Sequence, residues 1–203
     1  MTLAAGAYLE HLKAYVNSEY VMDDGASGRV VLTEKYFLPE DVKPQTRKIE
    51  LLIPGSGMAF KLDHDEFETS RRKHKPALFH FLDDNAKPWS KRCDFVVFFV
   101  NRRALHADCI EFKSKGINGQ AIKEQLSAGV CWLRSLKRTI EYYTTYNKKL
   151  KVRKFVFGTN TNPGPFVDGN QQLNADPSIR YYHFDEVQGQ PLVELDNTSV
   201  HEV

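Results

Sequence analysis

Two apolar segments with charged residues at their borders dominate the hydropathy pattern of this chain. The first, residues 94–100, opens with Asp94 and continues as an unbroken run of Phe and Val. Such a run is typical of a central strand that is covered on both faces. The second, residues 108–113, ends in Glu111-Phe112-Lys113, and the turn Asn101-Arg102-Arg103 separates the two. The pattern therefore predicts an antiparallel hairpin.

A long amphipathic helix is predicted directly after this hairpin. Glycines at positions 116 and 119 interrupt the chain, and apolar residues then recur every three or four positions, which is the spacing of one helix face. The members of this face are Ile122, Leu126, Gly129, Leu133, Leu136, Ile140 and Tyr143. A further strand is expected over residues 151–157, so this helix should pack across a sheet.

Shorter elements are predicted on both sides of this core. We expect a helix over residues 3–20, strands over 29–37, 49–53 and 58–62, and an edge strand over 180–184. The turn Pro54-Gly55-Ser56-Gly57 predicts that strands 49–53 and 58–62 form a hairpin. The order of elements predicts an α/β sandwich, in which helices flank a central mixed β-sheet.

Length and composition indicate a single globular domain. The chain has 203 residues, of which 41% are hydrophobic and 27% are charged. No apolar stretch approaches the ~18 residues of a membrane span, and the N-terminus lacks the pattern of a secretory signal. The three cysteines show no CxxC spacing, so we expect reduced, structural thiols and a cytoplasmic location.

Charge is distributed unevenly along the chain, although the net charge is only +2. Residues 185–203 contain five acidic residues and no Lys or Arg, so the body of the protein is basic. We therefore expect one domain over residues 1–184, followed by an acidic end that is either a disordered tail or an edge packed against the basic body. A basic body fits a polyanionic partner such as nucleic acid.

The predicted hairpin places three charged residues at one end of the sheet. The start of one antiparallel strand lies opposite the end of its partner, so Asp94 should meet Glu111 and Lys113. Carboxylate oxygens and the backbone carbonyl of Phe112 are ligands that suit Mg²⁺ or Mn²⁺. Lys113 could orient or deprotonate an attacking water beside such a metal. The set is that of a metal-dependent phosphodiesterase.

Asp94, the triplet Glu111-Phe112-Lys113 and a following helix that carries Gln125 resemble the PD-(D/E)XK, or restriction-endonuclease-like, nuclease superfamily. The resemblance covers roughly residues 88–160 and departs at Cys93, where many members have Pro. The segments 109–115 and 121–126 are similar to small nucleases of bacterial defence and mobile-element systems. The resemblance implies a restriction-endonuclease-like sandwich and hydrolysis of nucleic acid, with DNA favoured over RNA.

The resemblance also implies a role for each site residue. Asp94 and Glu111 would bind Mg²⁺ or Mn²⁺, Lys113 would act at the water, and Gln125 would lie near them as a fourth catalytic residue. A further Glu on the first helix often belongs to such sites, and Glu10 and Glu19 are both candidates.

Basic residues near the hairpin are candidates for contacts to phosphates. We expect nucleic-acid binding by Lys115, Arg102 and Arg103. Because a small domain has a single active site, a homodimer or a partner protein is also expected. Two alternatives stay open. Asp94 could merely cap a strand while Glu111 and Lys113 form an ordinary ion pair at a solvated sheet edge. Alternatively, the chain could be a non-catalytic subunit that binds nucleic acid or a partner on the same fold.

Overall fold

The computed structural model describes residues 2–36, 45–62, 88–114, 116–197 and 199–203. Within these ranges the chain forms three α-helices and ten β-strands. The helices are α1 Ala5–Tyr15, α2 Gly119–Thr144 and α3 Phe184–Val187. The strands are β1 Val21–Asp23, β2 Arg29–Tyr36, β3 Gln45–Leu52, β4 Gly57–Lys61, β5 Phe95–Asn101, β6 Ala104–Lys113, β7 Leu150–Gly158, β8 Gln172–Leu173, β9 Asp176–His183 and β10 His201–Glu202.

The predicted α/β class and mixed sheet are confirmed. A sheet of eight strands has the order β1-β4-β5-β6-β7-β9-β8, and β10 pairs with the first residues of β7. The β5–β6 hairpin is antiparallel, as expected, whereas β6, β7 and β9 run parallel. Helix α2 is the crossover between β6 and β7, because parallel neighbours need a long connection. Within the described residues, none of the helices is long and apolar enough to span a membrane.

The large sheet is covered on both faces. Alternate side chains of β5 point to opposite sides, so Val96 and Phe98 pack toward α1 and α2. Phe95, Val97 and Phe99 pack instead against a separate sheet formed by β2 and β3, together with α3 and the segment that follows it. All five side chains are fully buried, which explains the unbroken apolar run.

The predicted hairpin between strands 49–53 and 58–62 is wrong. β3 pairs with β2, and β4 pairs with β5 in the large sheet. The burial patterns show why. β3 buries alternate residues and covers one face only, whereas Gly57–Phe60 of β4 are buried consecutively, as in a strand covered on both faces. A short turn separates them, but they belong to different layers.

Several predicted boundaries also need correction. The first helix ends at Tyr15 and is followed by a 3₁₀ turn over Ser18–Tyr20. β9 is not an edge strand, because β8 lies outside it. Tyr143 at the end of the predicted apolar face is 79% exposed. Helix α2 has 26 residues and β6 has 10, so at ~1.5 Å and ~3.3 Å per residue the helix outruns the sheet.

Helix α2 approaches the sheet closely at Gly129. A Cβ atom at this position would lie 2.5 Å from the Sγ atom of Cys93 and 3.5 Å from that of Cys109. Both thiols are buried and free, as expected for structural cysteines, whereas Cys131 on the outer side of α2 is exposed. Hydrogen bonding to Cys109, followed by burial, raises the pKa of Cys93 well above its usual value. The close contact holds α2 against the large sheet at Cys93 and at the middle of β6.

The acidic C-terminal end packs against the large sheet. Phe184, Val187, Leu192 and Leu195 are buried in the core on the side of β2 and β3. Arg153 of β7 fastens this segment, because its guanidinium donates to the carbonyls of Leu195 and Leu192 at 2.9 and 3.0 Å. The same guanidinium binds both carboxylate oxygens of the buried Asp108 of β6, at 2.9 and 2.6 Å.

His106 of β6 gives the folded chain a pH dependence far from the carboxylate end of the hairpin. Its ring stacks on Phe99, and among the described residues its buried Nδ1 atom has no hydrogen-bond partner. Burial, with Arg153 and Lys151 nearby, lowers the pKa of His106 from 6.5 to about 4. The unfolded chain therefore binds a proton at His106 more readily than the folded chain does. The stability that neutral His106 contributes to the fold is complete above pH 6.5 and is lost as the pH falls toward 4.

We expect His106→Phe to keep the stacked ring and remove this titration. Between about pH 7 and about pH 4, the free energy of unfolding should fall less in the variant than in the wild type. Denaturant titrations of both proteins at the two pH values measure the difference. Equal losses in both proteins would contradict the buried, neutral state of His106.

Candidate active site

The β5–β6 hairpin brings the three predicted residues to one cavity. Phe95 pairs with Ile110, so Asp94, one residue earlier, lies across from Glu111 at the end of β6. Asp94, Glu111 and Lys113 all line a cavity of about 240 Å³, together with Gln125 from α2. The structure therefore brings together all four side chains that the sequence assigned to the site.

Lys113 is held by two side chains of this set. Its Nζ atom donates to the carboxylate of Glu111 and, at 3.1 Å, to Oε1 of Gln125. Glu111 and Lys113 lie two residues apart on β6, so their side chains leave the same face of the strand. Gln125 reaches them because it lies in the second turn of α2, close to where the helix begins after β6. The ammonium group is thereby fixed beside the carboxylates.

Asp94 is anchored at the junction of three strands. Its Oδ2 atom accepts a hydrogen bond of 2.6 Å from the backbone N–H of Phe112, and its own carbonyl accepts from the N–H of Leu62. Burial, then the nearby carboxylates of Glu111 and Glu34, raise the pKa of Asp94 well above its usual value, against opposing effects of the Phe112 amide and Lys113. A negative cluster of this kind would be stabilised by a cation.

The backbone carbonyl of Phe112 is placed on the side of Asp94. In a strand the N–H and C=O groups of one residue point toward the same neighbour, and the Phe112 N–H points toward Asp94. The next residue faces the other way, because the carbonyl of Lys113 accepts from the N–H of Thr159 after β7. The Phe112 carbonyl is thus directed to the side of Asp94, and Phe112 lines the cavity.

The donor set fits a hard divalent cation. Asp94 and Glu111 are 8% and 1% exposed, so each buries a carboxylate next to another carboxylate. Among the residues that the structure describes, no three His, Cys, Asp or Glu side chains gather into a group that could hold a metal by themselves. Two carboxylates and a carbonyl, completed by water, suit Mg²⁺, which keeps several waters and binds through one or two carboxylates.

The small β2–β3 sheet forms the opposite wall of the cavity, which the sequence did not predict. Glu34, Lys35 and Tyr36 of β2 and Arg47 of β3 line it, as does Phe184 at the start of α3. Glu34 forms an ion pair with Lys61 at 3.0 Å. It also lies close enough for its charge to raise the pKa of Asp94. A signal was present in the sequence, since the alternation Val30, Leu32 continues with the charged residue Glu34 on the same strand face.

Glu10 and Glu19, the two candidates for an additional site carboxylate, do not line this cavity. Glu10 is exposed on α1 beside Lys13, and Glu19 is exposed and accepts a hydrogen bond from the side chain of Asn17. Glu34 is the further carboxylate that the structure places near Asp94. It comes from a strand of the second sheet and not from the first helix.

Two of the three predicted nucleic-acid-binding residues, Arg102 and Arg103, do not line the cavity. Arg102 and Arg103 are exposed in the hairpin turn, at the opposite end of β5 and β6 from Asp94. At ~3.3 Å per residue the length of β6 separates them from the site by about 30 Å. Lys115 lies outside the described residues. The described cations that line the cavity are Lys113, Lys35 and Arg47.

Comparison of the chain with models of known protein families gives no match, and comparisons with curated proteins and with solved structures give no match either. The resemblance to the PD-(D/E)XK superfamily therefore stays a prediction from the sequence motif of Asp94, Glu111, Lys113 and Gln125.

Proposed function

We propose that the protein is a metal-dependent nuclease that hydrolyses phosphodiester bonds, with DNA as the favoured substrate. One observation carries the proposal: two nearly buried carboxylates, Asp94 and Glu111, share a cavity with a lysine that is hydrogen-bonded to one of them and to Gln125. The basic body of the chain and the resemblance of the motif support a nucleic-acid substrate.

The residues have distinct roles in this proposal. Asp94, Glu111 and the Phe112 carbonyl would hold Mg²⁺ or Mn²⁺, which supplies a polarised phosphate and a more acidic water when bound. Glu111 and Gln125 hold the Lys113 ammonium in place, where it can orient the attacking water and offset phosphate charge. Hydrolysis forms a bond from the water oxygen to phosphorus and breaks the bond to the leaving sugar oxygen, which takes up a proton.

Incubation of purified protein with nucleic acid tests the function. We expect loss of supercoiled plasmid or linear DNA with Mg²⁺ or Mn²⁺ and intact DNA with chelator, and parallel reactions with RNA compare the two substrate classes. No cleavage of any of these substrates with either metal would contradict the proposal. Salt-sensitive binding without cleavage would instead identify a non-catalytic nucleic-acid-binding subunit.

A further inference from the structure

Arg47 lies on the inward-facing side of the small sheet, where the other residues of the alternating pattern are mostly apolar. The face of the small sheet that packs on the core carries Val30, Leu32, Ile49 and Leu51, all of which are buried. Nearer the cavity the same face carries Glu34 and Arg47, which are paired in register across β2 and β3. A charged side chain at the end of a buried face lowers the stability of the fold unless it is paired with an opposite charge or binds a ligand.

Aromatic rings hold the guanidinium of Arg47 at the cavity wall. Its central carbon lies 4.4 Å from the ring centroid of Phe184 and 4.9 Å from that of Tyr36. Phe184 in turn packs edge-on against Phe112 at 5.1 Å, and Phe112 separates Glu111 from Lys113 in the motif. Cation–π contacts of this kind fix the plane of the guanidinium, and the aromatic stack ties it to the end of β6.

Part of the hydrogen-bonding capacity of Arg47 is not used within the described part of the chain. Its Nη1 atom is buried and has no hydrogen-bond partner, and no carboxylate of the described residues forms an ion pair with the guanidinium. Glu34, its neighbour in register, is engaged by Lys61. A donor left unsatisfied in this way costs free energy that a bound anion would recover.

We propose that Arg47 forms a phosphate-binding subsite on the wall of the cavity opposite Asp94 and Glu111. The planar guanidinium presents parallel N–H donors that match two oxygens of one phosphate, and it lines the cavity that holds the carboxylates. The ligand class is a backbone phosphate of the nucleic-acid substrate. The subsite deepens the proposed nuclease function and rests on it.

Binding of a fluorescently labelled DNA duplex in the presence of chelator tests the subsite without cleavage. Arg47→Met keeps the apolar stem, and we expect it to weaken affinity about 10- to 100-fold. We also expect it to reduce by about one the slope of log affinity against log salt, because one phosphate contact is lost. A purely structural role would leave that slope unchanged.

Arg29→Met is the matched control, because Arg29 belongs to the same small sheet but is half exposed and pairs with Glu50. Its affinity and salt slope should equal those of the wild type. Wild-type values in Arg47→Met would overturn the subsite. Should Arg47→Met fail to fold, Arg47→Lys decides the question: weaker binding supports paired hydrogen bonds to phosphate, and unchanged binding overturns them. Failure of the nuclease proposal is distinguishable, since the wild type would then cleave no nucleic acid with Mg²⁺ or Mn²⁺, whether or not it binds the labelled duplex.

Discussion

Lys113→Ala is expected to reduce the rate of DNA cleavage by about 10²- to 10³-fold at saturating Mg²⁺, the range associated with loss of one group that stabilises charge in the transition state. The variant removes the ammonium that donates to Glu111 and Gln125 and leaves Asp94 and Glu111 in place. Initial rates of plasmid cleavage measure the effect. Thermal unfolding of the variant, compared with the wild type, shows that the fold is retained.

Lys149→Ala is a suitable control for this loss of charge. Lys149 is 78% exposed, pairs with Glu202 and lies just before β7, at the end of the sheet opposite the cavity. Its removal should leave the cleavage rate close to that of the wild type. Full activity in Lys113→Ala would contradict the proposed role of the lysine, and equal losses in both variants would indicate an effect of overall charge.

Arg153→Met is expected to lower the free energy of unfolding by about 3–5 kcal/mol, which is the usual cost of removing one partner of a buried ion pair. Asp108 has no exposed side-chain surface and would be left as an uncompensated buried charge. The carbonyls of Leu192 and Leu195 would also lose their donor. Denaturant titration measures the loss.

Two further variants test whether the cost arises from the unpaired Asp108. Arg29→Met breaks the partly exposed pair with Glu50 and should cost no more than about 1 kcal/mol. The double variant Asp108→Leu/Arg153→Met removes both charges and should recover much of the stability lost in the single variant. If Arg153→Met is as stable as Arg29→Met, the buried carboxylate of Asp108 does not need Arg153 to offset the cost of its burial.

The end of the sheet that carries Asp94 and Glu111 could be predicted from the sequence because its determinants are local. The apolar run of β5, the short turn and the charged end of β6 specify an antiparallel hairpin, and that hairpin brings Asp94 opposite Glu111. The spacing of Glu111 and Lys113 then determines that both leave the same face. The place of Gln125 beside them was implied by the resemblance alone, and in the structure it comes from the helix that begins close behind β6.

The opposite wall of the cavity could not be predicted in the same way. Whether β3 pairs with β2 or with β4 depends on which layer each strand joins, and a tight turn between two strands does not determine that choice. Glu34 and Arg47 approach the site only through this pairing. Tyr143 was predicted on the buried face of the helix but is exposed, for a different reason. Helical spacing does not reveal where the sheet beneath the helix ends.

The central claim is that Asp94 and Glu111 together form the metal-binding part of a phosphodiesterase site. Cleavage of plasmid DNA by the wild type and by Glu111→Gln, measured side by side over a range of Mg²⁺ concentrations, tests it most directly. Glutamine keeps the size of the side chain and removes the charge that a cation needs. Mg²⁺-dependent cleavage by the wild type, with none by a folded Glu111→Gln variant, is the predicted result. Equal cleavage by the two proteins, or none by the wild type with Mg²⁺ or Mn²⁺, would contradict the claim.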